Sequence, residues 1–402
     1  MADHRTGNRG HLLAGAKAIV GCMRSAARPD ADGVPRWTGS PGQGLPAVLL
    51  GPWLYGGTAG IALLLAASHR VEGDPADRRL CLSILAPLRR RYGELAVEGT
   101  TPSGEGIGGL VGIPSLIYTL IQAGRLLDEP ELIGEAHEIS ALLTPEAIAG
   151  DRRLDVTDGA AGALLVLLAL DRVAPGASSR GPAPLELAGL CGGRLLSQRV
   201  SYQGRPLAWS SAGRPPMSGF AHGASGIALA LLRLHERTGA PGLREAALTG
   251  LAYERTLYSP EEGNWRDLPL PDRGYMNAWC YGAPGIALAR LRAGLQAEER
   301  EETAAALAAT RLRALTAADH LCCGNMGRVE ILAYAARRLG DPDLMRLALT
   351  LAFGVLKRRE RHSPSPADGH YDPTFFKGEA GIAFALLRLA EPDALPFPLL
   401  LE

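Results

Sequence analysis

The chain has 402 residues with 42 basic and 42 acidic side chains, so its formal net charge is zero. A neutral chain lacks the excess positive charge with which proteins bind nucleic acid or an anionic membrane surface. The longest apolar run, residues 160–170, is far shorter than the roughly 20 residues of a membrane span, and the N-terminus carries no signal-peptide pattern. We therefore expect a cytoplasmic protein that binds no nucleic acid and has no membrane span.

Residues 1–45 begin with an apolar helical run and continue into a segment rich in proline and glycine. This pattern predicts one N-terminal helix and an extended segment. We expect the helix and the segment to be part of the same domain as residues 46–402, and the segment to pack late or poorly.

One pattern then recurs seven times: a glycine, two residues, a second glycine, and an apolar helical run. The copies begin at Gly57, Gly109, Gly159, Gly223, Gly282, Gly324 and Gly378. Seven copies that begin 42–64 residues apart indicate a repeat architecture and argue against separate domains.

The apolar runs are hydrophobic nearly all round, as expected of helices that are buried on both sides. Mixed-charge segments with helical periodicity lie between them, and the alternation typical of strands is almost absent. We therefore predict an all-α fold, an α/α toroid of seven inner and seven outer helices, with the glycine ends gathered at one rim. In most copies the glycines are expected to serve only close packing.

Three consecutive copies place reactive groups directly before the first glycine. They are His222 in GFAHG, Cys280 in WCYG, and Cys322 with Cys323 in LCCG. If the repeats share one geometry, these side chains converge. Three thiolates suit Zn²⁺ and leave a fourth position open, as in catalytic sites. The remaining cysteines lie outside the motifs and are expected in the core: Cys22, Cys81 and Cys191.

Several polar side chains in or near the motifs have more than one possible role. His222 is either a general acid/base beside the metal or a satisfied core histidine. Asp155 either caps the inner helix or a nearby turn, or it faces the rim and orients a proton carrier. Asp158 is nearer to the helix start as a cap. His370 and Tyr371 precede the last repeat and are weaker candidates for the rim.

The blocks GFAHGASG, WCYGAPG and LCCGNMG resemble the signature motifs of the lanthionine synthetase C-like (LanC-like) family, and the resemblance runs from about residue 45 to the C-terminus. It implies an α/α toroid with one zinc ion that adds peptide cysteine thiols to dehydroalanine or dehydrobutyrine, forming the thioether rings of lanthipeptides. Carried over by motif, it implies zinc ligands Cys280, Cys322 and Cys323, and catalytic residues His222, Asp155 and Tyr281.

One departure distinguishes this chain from most members, which have Cys-His-Gly where it has Cys322-Cys323-Gly324. The three-cysteine version resembles the cyclase domains of class II (LanM-type) synthetases. We expect either a stand-alone cyclase or a cyclase domain without its dehydratase half. The implied partners are a dehydrated precursor peptide and a dehydratase.

Two other functions remain open. One is a transferase that adds glutathione or another small thiol to dehydroamino acids, which a compact pocket with Arg or Lys would favour. The other is a non-catalytic, zinc-stabilised scaffold that presents a precursor peptide. Other α/α toroids, such as glycosidases and prenyltransferases, use different ligand sets.

Overall fold

The computed structural model describes residues 2–39, 48–100, 104–176, 180–268, 274–294, 297–311, 314–361 and 371–402. Within these ranges the chain forms fifteen α-helices. In chain order they are α1 (Ala2–Ala26), α2 (Thr58–Glu72), α3 (Pro75–Glu98), α4 (Ile113–Leu127), α5 (Pro130–Ile139), α6 (Pro145–Ala149), α7 (Ala160–Val173), α8 (Pro184–Ser197), α9 (Ala224–Thr238), α10 (Leu243–Arg255), α11 (Ala283–Ala293), α12 (Ala297–Arg311), α13 (Asn325–Leu339), α14 (Pro342–Arg361) and α15 (Glu379–Ala390). None of these helices combines the length and the apolar character that crossing a lipid bilayer requires.

Four short antiparallel hairpins accompany the helices. They pair β1 (Arg28–Pro29) with β2 (Pro35–Arg36), β3 (Thr38–Gly39) with β4 (Val48–Leu49), β5 (Arg199–Ser201) with β6 (Leu207–Trp209), and β7 (Tyr258–Ser259) with β8 (Asn264–Trp265). The longest has the register Arg199↔Trp209, Val200↔Ala208 and Ser201↔Leu207. Each hairpin is only two or three residues deep, so helices form the core.

Seven helices form a closed inner ring. Each of α2, α4, α7, α9, α11 and α13 packs on the next helix of this series, and α15 packs back on α2. Their residues are buried on almost every face, as the apolar repeats predicted.

Seven further helices cover the ring from outside, each packed on its own inner helix: α3 on α2, α5 on α4, α8 on α7, α10 on α9, α12 on α11, α14 on α13 and α1 on α15. The predicted toroid of seven inner and seven outer helices is therefore confirmed. The N-terminal helix α1 is the seventh outer helix, and its side chains Leu12, Ala16 and Met23 are buried. It gives the last inner helix, α15, its outer partner.

A capping glycine precedes each inner helix: Gly57, Gly112, Gly159, Gly223, Gly282, Gly324 and Gly378. In the second repeat the cap is Gly112, so the predicted start at Gly109 is three residues too early. The sequence offered two glycines three apart there, and Ser115 occupies the place of the second glycine. Gly109 instead packs against Gly162 of the next repeat.

The second glycine of the motif allows the preceding loop to fold back onto its helix. A Cβ on Gly226 would lie 1.9 Å from the Phe220 carbonyl oxygen, and one on Gly381 would lie 1.8 Å from the Phe375 carbonyl oxygen. A backbone carbonyl cannot retreat cheaply, so only glycine fits this close approach.

The two residues before each capping glycine, which we call the rim pair, line one rim of the toroid. The seven pairs are Tyr55-Gly56, Leu110-Val111, Thr157-Asp158, Ala221-His222, Cys280-Tyr281, Cys322-Cys323 and Phe376-Lys377. Backbone hydrogen bonds of 2.9–3.3 Å join neighbouring pairs through their first members, running from Tyr55 to Leu110, Leu110 to Thr157, Thr157 to Ala221, Cys280 to Cys322, Cys322 to Phe376 and Phe376 to Tyr55. This network fixes which rim side chains are neighbours.

The last residues of the chain fill the centre of the ring. Leu399, Leu400 and Leu401 are each 1% exposed. The Leu399 carbonyl accepts a hydrogen bond from Trp279 Nε1 at 3.2 Å, and the Glu402 carboxylate pairs with Arg292 at 2.8 Å. Arg233 on α9 also pairs with the Glu402 carboxylate, at 3.2 Å, so the segment contacts two neighbouring inner helices, α9 and α11.

Candidate metal centre

The three predicted cysteines meet at the rim. Cys280 is the first member of the fifth rim pair, and Cys322 and Cys323 form the sixth. Their sulfur atoms all lie within 4.8 Å of one another. Cys280 and Cys322 are each 3% exposed, whereas Cys323 is half-buried. The hydrogen bond from the Cys280 N–H to the Cys322 carbonyl brings the two repeats into this register.

This cluster fits a soft divalent metal. A zinc ion about 2.3 Å from each sulfur in tetrahedral geometry sets the sulfurs about 3.8 Å apart, which is compatible with sulfur atoms that all lie within 4.8 Å of one another. Three protein ligands leave one position for a substrate atom. Of the described residues, no histidine joins this group of three. His320 instead accepts a hydrogen bond from the Cys323 N–H through Nδ1 at 3.3 Å, and His370 lies outside the described residues.

Two side chains from neighbouring rim pairs contact the sulfurs. The Tyr55 hydroxyl donates a hydrogen bond to Cys322 Sγ at 3.1 Å, and the Lys377 ammonium donates one to Cys323 Sγ at 3.1 Å. Sequence reasoning did not single out either residue. The signal that could have found them is their register, because each stands one or two positions before a capping glycine next to the cysteine repeats.

Negative charge is favoured in this cluster at Cys323. Hydrogen bonds from the thiols of Cys280 and Cys322 lower the pKa of Cys323, and His320 and Lys377 act in the same direction. The hydrogen bond to Cys322 raises the pKa of Cys280. Burial opposes the charge on Lys377, but the neighbouring sulfurs outweigh burial and raise its pKa. The cluster is therefore built to hold thiolate charge beside an ammonium group.

His222 and Asp155 form a hydrogen-bonded pair on one side of the cluster. His222 Nδ1 lies 3.0 Å from Asp155 Oδ2, and Asp155 is 2% exposed. A carboxylate accepts at this distance, so Nδ1 carries the proton and Nε2 is the acceptor of the neutral ring. Asp155 Oδ1 also accepts the Asp158 N–H at 2.7 Å. Asp155 thus accepts one hydrogen bond within its own turn and pairs with His222.

The helix cap predicted for Asp155 or Asp158 is supplied by a different residue. Asp151 Oδ2 accepts the N–H of Ala160, the first residue of α7, at 2.8 Å. Asp158 completes a second group with Asp155 and His222, whose ligand atoms lie within 4.8 Å of one another. Burial, followed by the charge of Asp155, raises the pKa of Asp158.

Tyr281 connects the two parts of the site. It follows Cys280 in the fifth rim pair, and its ring stacks on His222 with centroids 5.4 Å apart and planes inclined by 28°. Burial, and then the charges of Cys280 and Asp155, raise the pKa of its hydroxyl. Tyr281 therefore stays a neutral hydroxyl at ordinary pH.

The cysteines outside the motifs lie elsewhere. Cys81 and Cys191 are fully buried in the outer helices α3 and α8. Burial raises the pKa of Cys81 to about 12, which makes it an unreactive core thiol. Cys22 lies in α1, half-buried. Tyr371, the weaker rim candidate, is 6% exposed and contacts Cys22 rather than the three-cysteine cluster.

Fold and site together define a toroid of paired helices with a thiol cluster suited to a metal at one rim. The lanthionine synthetase C-like family model matches residues 49–402, and the chain belongs to this family.

Among solved structures, the chain is similar to nisin cyclase, with a TM-score of 0.65 and 16% identity over 87% of this chain and 91% of that one. At this identity the likeness shows the shared fold. Weaker similarities include a sugar epimerase from a ruminal bacterium (TM-score 0.45, 11% identity, 93% of this chain and 98% of that one). Another is an unsaturated glucuronyl hydrolase specific for heparin (TM-score 0.44, 11% identity, 77% and 84%).

Proposed function

We propose that this protein is a lanthipeptide cyclase, which adds cysteine thiols of a peptide to dehydroalanine or dehydrobutyrine and forms thioether rings. The observation that carries the proposal is the three-sulfur cluster next to the His222–Asp155 pair, in a chain of the lanthionine synthetase C-like family. The nisin cyclase fold supports the same reading.

We infer that the cluster holds zinc through Cys280, Cys322 and Cys323. Zinc is the divalent ion that commonly combines thiolate ligands with an open fourth position. When bound there, it would supply a Lewis acid that lowers the pKa of a substrate thiol. About one zinc ion per chain is expected in the purified protein.

The acid/base role falls to His222. Its Nε2 is the free acceptor because Nδ1 pairs with Asp155, so Nε2 takes the proton that the substrate thiol loses. The sulfur then forms a bond to the β-carbon, and the electron pair of the double bond moves to the α-carbon and its carbonyl as an enolate. His222 returns its proton to the α-carbon, which restores the neutral ring and balances the reaction.

Asp155 and Tyr281 act on the histidine. Asp155 holds the tautomer and stabilises the imidazolium that forms between the two proton transfers. Tyr281 keeps the ring in place by stacking and brings a hydroxyl into the site. Loss of either residue should therefore lower the rate more than it lowers metal binding.

The proposal also covers the substrate, the partner protein, the domain organisation and the cellular compartment. The substrate is a dehydrated precursor peptide, supplied by a dehydratase that is either a separate protein or the other half of a class II synthetase. Residues 1–45 form one domain with residues 46–402, which the packing of α1 on α15 supports. The six free cysteines favour a reducing compartment such as the cytoplasm.

The decisive experiment is incubation of the zinc-loaded protein with a dehydrated precursor peptide. Free thiols are counted by alkylation and mass spectrometry, with glutathione offered in a parallel reaction. Loss of peptide thiols without a change in peptide mass supports the cyclase. Addition of glutathione in place of ring closure would support the small-thiol transferase. Peptide binding without either reaction would support the non-catalytic scaffold.

A further inference from the structure

We propose that Lys377 is the counter-charge of the three-cysteine cluster, a positioning residue that sets how tightly the cluster holds a divalent metal. The chain contains 42 basic residues, of which only three are lysine: Lys17, Lys357 and Lys377. Lys377 is the second member of the seventh rim pair, next to the pair that carries Cys322 and Cys323. The proposal rests on the zinc site of the proposed function.

The contacts of Lys377 point to the sulfurs. Its Nζ lies 3.1 Å from Cys323 Sγ, and the side chain is otherwise exposed at the rim. Within the parts of the chain that the structure describes, Lys377 forms no ion pair with a carboxylate. A compact ammonium group can approach a single sulfur end-on, whereas a guanidinium is shaped for two parallel contacts.

The net charge of the metal-loaded site explains why a positive side chain would stabilise it. A divalent ion with three thiolates carries one net negative charge, and a fourth thiolate from a substrate adds another. The Lys377 ammonium cancels one of these charges. A site with two thiolates and one imidazole is already neutral and needs no lysine. The inference is therefore that the third cysteine and Lys377 depend on each other.

The first test measures zinc affinity without substrate, by competition with a chromophoric chelator. Lys377→Met is expected to bind zinc about 10- to 100-fold more weakly than the native chain, the range typical of lost partners of metal ligands. Lys377→Arg keeps the charge but not the end-on ammonium contact, so it should recover only part of the affinity. Lys357→Met is the matched control, because it removes the same charge from an exposed position on α14. Unchanged affinity in Lys377→Met would overturn the proposal.

A double-mutant cycle separates charge compensation from a general structural role. In a Cys323→His background the loaded site is neutral, so Lys377→Met should leave zinc affinity unchanged or increase it. An equal loss in both backgrounds would contradict the proposal. Tyr55→Phe removes a neutral hydrogen bond from Cys322 and should weaken binding less than Lys377→Met does.

Two further readouts keep the result interpretable. Cobalt substitution reports the cluster through its sulfur-to-metal absorption bands, which should keep their intensity in Lys377→Met at saturating cobalt if the three ligands are intact. Thermal unfolding of the metal-free proteins shows whether a variant folds, and Lys377→Gln replaces Lys377→Met if it does not. Because no substrate enters these measurements, they stand apart from the cyclase assay, which alone tests the proposed activity.

Discussion

The second and sixth rim pairs have the same backbone arrangement but different roles. Leu110-Val111 and Cys322-Cys323 both precede a capping glycine and an inner helix of 15 residues. Each donates a backbone hydrogen bond to the next repeat, at 3.1 Å from Leu110 and 2.9 Å from Cys322. The first pair is wholly apolar, whereas the second carries two thiols. The repeat therefore provides position, and the two side chains before its glycine provide chemistry.

The comparison extends around the rim. Repeats three to five bring Asp155, His222 and Tyr281 together, and repeats seven and one bring Lys377 and Tyr55 to the sulfurs. Among the residues that the structure describes, the second repeat contributes no polar group to either part. It serves as a scaffold, and this contrast can be tested at matched positions.

The largest difference is expected between Cys322→Ala and Leu110→Ala. Cys322→Ala removes one of three ligands, so zinc binding and ring formation should both be lost. Leu110→Ala empties a site that is 0% exposed, which should lower the free energy of unfolding by about 2–5 kcal/mol while the metal stays bound. Metal content by emission spectrometry and unfolding in denaturant measure the two effects. Full zinc in Cys322→Ala or in Cys323→Ala would mean that the third ligand lies elsewhere, with His320 and His370 the next residues to test.

His222→Asn should separate the metal from the acid/base. His222 belongs to a different rim pair from the three cysteines, so zinc should remain bound. Loss of a positioned acid/base typically slows a reaction about 100- to 10,000-fold. Zinc content and thioether formation are measured on the same sample. Loss of zinc would identify His222 as a ligand or a structural residue, and full activity with full zinc would assign the α-carbon proton to solvent or Tyr281.

The fold and the main site residues could be predicted because they depend on periodicity within the sequence. Seven glycine motifs determine the inner helices, and equal positions in consecutive repeats bring Cys280 and Cys322 together. The start of the inner helix was harder to predict in the second repeat. There Gly109 and Gly112 both fit the pattern of a helix cap, and Ser115 replaces the second glycine. Tyr55 was missed because it reaches Cys322 only when the seventh repeat closes on the first. Lys377 was missed because a lysine side chain is not a metal ligand, although it lies in the repeat directly after Cys322 and Cys323.

Gly162→Ala tests the close backbone contact between the third repeat and Gly109 of the second. An added Cβ would lie 1.9 Å from the Val156 carbonyl oxygen and 2.4 Å from the Gly109 nitrogen, and neither backbone atom can move aside freely. We expect a loss of about 1–3 kcal/mol in the free energy of unfolding, as for other overpacked sites. Gly193→Ala is the control, because its Cβ would meet nothing within 4 Å on the exposed face of α8 and should stabilise the helix by about 0.5–1 kcal/mol.

Asp158 offers the smallest and most specific test, because it is the charged member of an otherwise uncharged rim pair, Thr157-Asp158, and lies beside Asp155 and His222. Its pKa is raised by burial and by the charge of Asp155, so the folded protein binds a proton more readily here than the unfolded chain does. Stability contributed at this position therefore falls as pH rises from the unfolded pKa, about 3.9, through the folded pKa, and the penalty is complete above that window.

Asp158→Asn removes the charge without changing the shape. It should raise the free energy of unfolding slightly at neutral pH, by an amount that solvent screening reduces, and the difference should vanish at pH values below the unfolded pKa. Unfolding curves of both proteins across this pH range measure it, and Asp128→Asn, at the exposed C-cap of α4, controls for a general loss of negative charge. A variant that is less stable than the native chain at neutral pH would show that the Asp158 carboxylate stabilises the rim instead of straining it.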